Sequence, residues 1–102
     1  MAVVVWTPRA YADLEAIGDY LARDSPGVAE RLLRQLYAAT DRFEAFPASG
    51  RIVPEIGDES LREVIYRNYR IVYLHIPGDD RVEVLSVFHA SRQFGRPPDS
   101  DA

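Results

Sequence analysis

The stretch YRNYRIVYLH, residues 66–75, decides how the C-terminal half of the chain folds. Its dipeptide Arg67-Asn68 separates two runs rich in β-branched and aromatic residues, a pattern typical of a hairpin turn between strands. These runs predict strands over Leu61–Tyr66 and Tyr69–Ile76, and the turn PGDD then leads into a third strand over Arg81–His89. Because both connections are short, we predict that the three strands form an antiparallel meander.

The N-terminal half carries the signals of two helices. Thr7-Pro8 and Ser25-Pro26 each place a capping side chain directly before a proline at the first helical position. The apolar spacing that follows predicts one helix to about Arg23 and a second that ends near residue 46, since Pro47 cannot continue the helical hydrogen bonds. The few residues between the helices predict an antiparallel helical hairpin.

The order of the elements predicts an α+β fold. A β-branched run at residues 2–6 supplies a first strand, so that the order becomes β-α-α-β-β-β, and residues 47–60 are expected to form a loop. A twisted antiparallel four-stranded sheet with the helical hairpin on one face is the simplest way to bury both helix stripes. We expect residues 1–95 to form a single domain and residues 96–102 to be a mobile tail.

Composition narrows the functional classes. The 102 residues carry a net charge of −4, which argues against a protein that binds nucleic acid with its whole surface. The absence of cysteine excludes disulfides and thiolate metal sites, and no sequence motif suggests another metal site or a cofactor. The N-terminus lacks the pattern of a signal peptide, and no segment is long and apolar enough to span a bilayer. We therefore expect a cytoplasmic protein without metal or cofactor.

All twelve basic residues are arginine, so any cationic chemistry must use guanidinium groups.

Strand alternation sorts the side chains of the predicted meander into two faces. One face of the central strand would carry Tyr69, Ile71, Tyr73 and His75, and the other would carry Arg70, Val72, Leu74 and Ile76. In the last strand, Val82, Val84, Ser86 and Phe88 would oppose Glu83, Leu85, Val87 and His89. Arg70 is then either a structural group or a functional guanidinium beside Arg62 and His89. As a structural group it would extend its charged end to solvent or pair with a carboxylate, for which Glu63 is the candidate.

Six segments follow one another in an order and spacing that resemble one superfamily. They are a strand ending in Trp6, DLEAIGDYLARDSPGVAERLL at 13–33, FPASGR at 46–51, LREV at 61–64, NYRIVYLH at 68–75 and VLSVFHASR at 84–92. This series, over about residues 2–94, resembles the RelE/ParE toxins of type II toxin–antitoxin modules, also called plasmid stabilization proteins. The resemblance implies an antiparallel sheet with an N-terminal helical hairpin. It also implies a cognate antitoxin whose C-terminal segment folds as it wraps the toxin.

The resemblance leaves two branches with different targets. ParE-like members poison DNA gyrase and have no known nuclease constellation, whereas RelE-like members are ribosome-dependent endoribonucleases that cut mRNA. RelE-type sequences carry alternating lysines where this chain reads LREV, and FPASGR and VFHASR are closer to ParE. We therefore expect a ParE-like, non-catalytic gyrase poison that blocks growth. The alternatives are a RelE-like mRNA interferase and a toxin that has kept antitoxin binding but lost its activity.

Seven residues are candidates for contact with the target or the antitoxin: Arg51, Arg62, Tyr69, Arg70, Tyr73, His89 and Arg92. RNA cleavage by attack of a 2′-hydroxyl needs a base, an acid and cations for the developing phosphorane charge. On the nuclease alternative, the catalytic residues would be Arg70, His89, Arg92 and Arg62. Glu55 or Glu59 could complete a set of glutamate, arginine and histidine like that of some nucleases in the superfamily.

Overall fold

The computed structural model describes residues 1–92, and the predicted tail at 96–102 lies outside the described residues. Its elements are β1 (Val3–Trp6), α1 (Pro8–Ala22), α2 (Pro26–Ala38), β2 (Arg51–Ile52), β3 (Leu61–Tyr66), β4 (Tyr69–Ile76) and β5 (Arg81–His89). The predicted α+β fold with an N-terminal helical hairpin is confirmed. The three C-terminal strands also begin and end at the predicted residues.

The sheet differs from the prediction in strand number and in the direction of one strand. It has five strands in the order β1-β5-β4-β3-β2, because Arg51–Ile52, within the expected loop, pairs with Glu63 and Arg62 of β3. Strand β1 pairs with β5 in parallel, while the other pairs are antiparallel. The chain between these two parallel strands contains the helical hairpin and strands β2, β3 and β4, so it is longer than the crossover that a parallel pair requires.

Both helices begin at their predicted caps, but α2 ends earlier than predicted. Thr7 Oγ1 accepts a hydrogen bond from the Ala10 backbone N–H (3.2 Å), and Ser25 Oγ accepts one from Val28 (3.4 Å). Helix α2 stops at Ala38, and a short 3₁₀ turn at Asp41–Phe43 follows. The apolar spacing of the sequence continues past Ala38, where the helix ends. The reason is that Phe43, in this turn, is also a core residue: its ring stacks on that of Tyr73, with centroids 3.9 Å apart.

A β-bulge in β5 changes which of its side chains face the helices. Val72 pairs with Ser86 and Tyr73 pairs with Val84, so Leu85 is the extra residue. Val84 and Val87 consequently both belong to the core, although simple alternation places them on opposite faces. The predicted sorting of β5 is therefore wrong beyond Leu85.

The core lies between the helical hairpin and one face of the sheet. Its buried members are Ala2, Trp6, Ala10, Leu14, Leu36, Phe43, Val64, Ile71, Tyr73, Val82, Val84 and Val87. The opposite face is covered by ionic side chains and by the loop after β2, as described below. Among the described residues, no helix has the length and apolar character needed to cross a membrane.

Candidate functional site: an ionic network on the open face

The sheet face opposite the helices carries four charged side chains in mutual contact, which we call the ionic network: Arg51, Glu55, Glu63 and Arg70. Strand pairing sets most of this arrangement. Arg51 of β2 pairs directly with Glu63 of β3, and Glu63 pairs with Val72 of β4, two residues after Arg70 on the same face. Glu55 reaches the network from the loop that follows β2.

Arg70 is the centre of the ionic network. Its Nε donates to Glu63 Oε1 (2.7 Å), and its Nη2 lies 2.5 Å from the same oxygen. Nη1 and Nη2 donate to the two oxygens of Glu55 (2.6 and 2.8 Å), and Nη1 also donates to the backbone carbonyl of Arg92 (2.8 Å). These four hydrogen bonds and the additional ion-pair contact of Nη2 engage all three nitrogens of the guanidinium group.

The network is buried at its centre and reaches solvent at one end. The Glu63 side chain is 0% exposed and that of Arg70 is 6% exposed, whereas that of Arg51 is 59% exposed. Arg51 Nε donates to Glu63 Oε2 (2.7 Å), so this buried carboxylate lies between two guanidinium groups. Two positive and two negative charges balance, which reduces the cost of removing them from water.

Hydrogen bonding stabilises the charged form of the central arginine. The pKa of Arg70 is raised above its ordinary value, first by its hydrogen bonds to Glu55, against the opposing effect of burial, and further by Glu63. The Arg70 guanidinium also lies over the Phe88 ring, 5.1 Å from its centroid. The structural alternative for Arg70, including the predicted pairing with Glu63, is the one that the geometry supports.

Another arginine, Arg62, holds the loop that leads into β2. Arg62 donates from Nη1 to the Gly50 carbonyl (3.0 Å) and from Nε to the Glu59 carbonyl (3.0 Å). The buried Tyr73 hydroxyl accepts a hydrogen bond from the Gly50 N–H (2.9 Å), and burial raises the pKa of Tyr73. Tyr73 is 0% exposed, so its position does not support a role in contacting a partner.

The remaining candidates lie at the end of the hairpin. Tyr69 and His89 are opposite one another on β4 and β5, with their rings edge to face at 5.9 Å. His89 Nδ1 accepts a hydrogen bond from the Ser91 backbone N–H (3.2 Å) and lies 2.8 Å from the Ser91 hydroxyl oxygen. Arg92 contributes its carbonyl to the ionic network.

The structure does not assemble the predicted nuclease residues into one site. Arg62 pairs with Tyr73, and His89 pairs with Tyr69; Tyr73 belongs to the core and Tyr69 packs against it, so both pairs lie on the helix-facing side. Arg70 projects to the opposite face. The residues that do converge are Arg70, Glu55 and Glu63. Within residues 1–92, no group of His, Asp or Glu side chains has the arrangement needed to hold a metal ion.

An N-terminal helical hairpin packed on one face of such a sheet is the fold of known toxins from toxin–antitoxin systems. The chain resembles a structure of the chromosomal ParDE toxin–antitoxin system from P. aeruginosa, with a TM-score of 0.71, 21% identity and coverage of 87% of this chain and 96% of that one. It also resembles a chain of the intact E. coli RelBE toxin–antitoxin complex, with a TM-score of 0.57, 21% identity and coverage of 90% and 100%. At these identities the likeness shows a shared fold.

Sequence comparison defines the family. The model described as the ParE toxin of type II toxin–antitoxin system, parDE, matches residues 4–94. Toxin RelE2 of Caulobacter vibrioides is 36% identical over 92 residues, which cover 90% of this chain and 99% of that protein. The putative toxin Y4kP of Sinorhizobium fredii is 34% identical over 89 residues, covering 87% and 88%. The chain belongs to the ParE toxin family, within the RelE/ParE superfamily of type II toxins.

Proposed function

We propose that this type II toxin arrests growth by binding and poisoning DNA gyrase, without catalysing a reaction itself, and that a cognate antitoxin neutralises it. The observation that carries the proposal is the state of Arg70. Its four hydrogen bonds and its further ion-pair contact all go to acceptors within the chain, and its side chain is 6% exposed. An arginine that stabilises a phosphorane must direct N–H groups at phosphate oxygens, and here those groups are already used.

The distribution of the other candidates supports the same proposal. A ribonuclease site needs its base, acid and cations within hydrogen-bond reach of one phosphodiester. Arg62 and His89 lie on the opposite side of the sheet from Arg70, and Arg62 donates to the loop carbonyls of Gly50 and Glu59. The network therefore acts as a structural support, and the proposed activity is that of a binding surface.

Overall charge is consistent with a protein target. The chain has a net charge of −4 and a sequence pI of about 5.1. A ribosome-dependent nuclease must approach a dense phosphate surface, where a net positive charge strengthens binding and speeds association. An acidic toxin lacks this advantage.

The alternative of an mRNA interferase is favoured by one finding, the 36% identity to a protein named RelE2. For Arg70 to act on RNA, Glu55 must release it, since this glutamate occupies both terminal nitrogens. Glu55→Ala would remove those acceptors. If the chain is an interferase in which Arg70 acts on RNA and Glu59 rather than Glu55 supplies the glutamate, this variant should cleave mRNA faster on programmed ribosomes than the parent toxin does.

Paired induction without antitoxin tests the proposal in cells. We expect filamentation and an SOS response, with protein synthesis initially intact, because poisoned gyrase leaves DNA breaks before it affects translation. Rapid loss of translation with cleaved transcripts would overturn the proposal and support the interferase. No growth arrest from a folded toxin would support the third reading, a toxin that has lost its activity.

A further inference from the structure

A cleft lies at the end of the helical hairpin, on the opposite side of the sheet from the ionic network. Its volume is about 270 Å³, and we call it the hairpin-end cleft. It is lined by the end of α1, the first turns of α2 and the β3–β4 turn: Leu21, Val28, Arg31, Leu32, Gln35, Arg67, Asn68 and Tyr69. Apolar side chains thus lie beside two guanidinium groups.

Within the described part of the chain, the hairpin-end cleft places two guanidinium groups without an ion pair beside an apolar surface. Among residues 1–92, neither Arg31 nor Arg67 has a carboxylate partner, whereas Arg34, one helical turn from Arg31, pairs with Glu30. Both side chains are exposed. In a chain of net charge −4, this leaves two adjacent positive charges beside an apolar surface and open to an external anion.

Arg67 occupies a position that a smaller residue would occupy with less strain. It is the first residue of the β3–β4 turn and has a φ of 53°, in the left-handed region that favours glycine. Its guanidinium lies 5.7 Å from the Tyr66 ring centroid. The backbone cost has no compensating ion pair within the described chain, so the side chain is better explained by an external contact.

We propose that the hairpin-end cleft binds an acidic, amphipathic segment of the cognate antitoxin. Apolar side chains of that segment would cover Leu21, Val28 and Leu32, while Asp or Glu side chains would pair with Arg31 and Arg67. Solved relatives with this fold include a toxin–antitoxin complex. The proposal rests on the antitoxin partnership and not on the identity of the target.

The test measures antitoxin affinity for full-length toxin variants by calorimetry. Arg31→Glu combined with Arg67→Glu should weaken binding at least ~10-fold at low salt, because two attractions become repulsions. Arg34→Glu, on the same helix and outside the cleft, is the matched control and should change affinity less than ~3-fold. Reversing the antitoxin's acidic residues to arginine should restore affinity for the double variant. Unchanged affinity in the double variant would overturn the proposal.

A glycine variant separates binding from folding. Arg67→Gly should leave the denaturation midpoint unchanged or raise it, while antitoxin affinity falls. If affinity does not fall, Arg67 is not a contact.

Each variant is also tested without antitoxin for poisoning of gyrase. Retained poisoning with weakened antitoxin binding supports the inference, whereas lost poisoning with normal antitoxin binding shows that the cleft contacts the target and overturns it. The parent toxin could also fail to poison gyrase while the variants still bind antitoxin more weakly than the parent does. That result would refute only the proposed target.

Discussion

At the scale of single residues, Arg70 shows how the neighbouring side chains determine the role of a charged group. Strand pairing places Glu63 beside it, and the loop after β2 brings Glu55. The sequence identified Glu63 as a possible partner because it is on the neighbouring strand. The bidentate contact from Glu55 has no local signal, since it depends on how a loop of irregular conformation folds back over the sheet.

Removing the buried carboxylate should destabilise the protein strongly. Glu63→Gln leaves Arg70 and Arg51 without their shared counter-charge at a fully buried position, and breaking such a pair typically costs about 3–5 kcal/mol. Chemical denaturation measures the loss. The control Glu30→Gln breaks the exposed pair with Arg34 and should cost no more than about 1 kcal/mol. Equal losses in the two variants would refute the structural role of the network.

Tyr73 should make stability depend on alkaline pH. Burial raises its pKa above the ordinary value of 10.0, so above about pH 10 the unfolded chain loses this proton before the folded chain does. The contribution is therefore present below pH 10 and is lost as pH rises toward the folded pKa.

The Tyr73→Phe variant isolates this effect. Near neutral pH it should be less stable by about 1–3 kcal/mol, because the buried Gly50 N–H loses its acceptor. The difference in the free energy of unfolding between parent and variant should decrease above pH 10, since only the parent has the Tyr73 proton to lose. Denaturation at several pH values provides the measurement, and a gap that stays constant would contradict the assigned burial effect.

At the scale of elements, the helix starts and three strands could be predicted because their signals are local. A cap followed by proline marks each helix, and β-branched runs flanked by turn residues mark each strand. The parallel direction of β1, the bulge at Leu85 and the two-residue β2 depend on contacts between distant parts of the chain. In the bulge, for example, Asp13 of α1 accepts hydrogen bonds from the Ser86 hydroxyl (2.8 Å) and the Val87 N–H (3.0 Å).

The entry into β2 should require glycine. A Cβ at Gly50 would lie 2.5 Å from the Glu63 carbonyl oxygen and 2.8 Å from the Tyr73 hydroxyl, so Gly50→Ala should destabilise the protein by about 1–3 kcal/mol. Gly27→Ala is the control, because a Cβ there meets nothing within 4 Å and alanine favours a helix by up to about 1 kcal/mol. Thermal denaturation compares the two. A harmless Gly50→Ala would show that β2 does not approach Tyr73 as closely as described.

At the scale of the whole molecule, the two sides of the sheet are assigned different tasks. The ionic network neutralises its own charges and ties the loop after β2 and the carbonyl of Arg92 to the open face. The hairpin-end cleft leaves two positive charges without a carboxylate partner among residues 1–92. The superfamily could be predicted from six ordered segments because they span nearly the whole chain. The candidate site was only partly predictable, since the contacts that occupy the Arg70 guanidinium depend on the three-dimensional fold.

Gyrase poisoning is tested most directly with purified toxin, gyrase and supercoiled plasmid, with programmed ribosomes and mRNA assayed in parallel. We expect the toxin to trap gyrase on cleaved DNA in a dose-dependent way, antitoxin to prevent this, and mRNA to remain intact. Normal gyrase activity together with cleaved mRNA would refute gyrase as the target and support the interferase alternative.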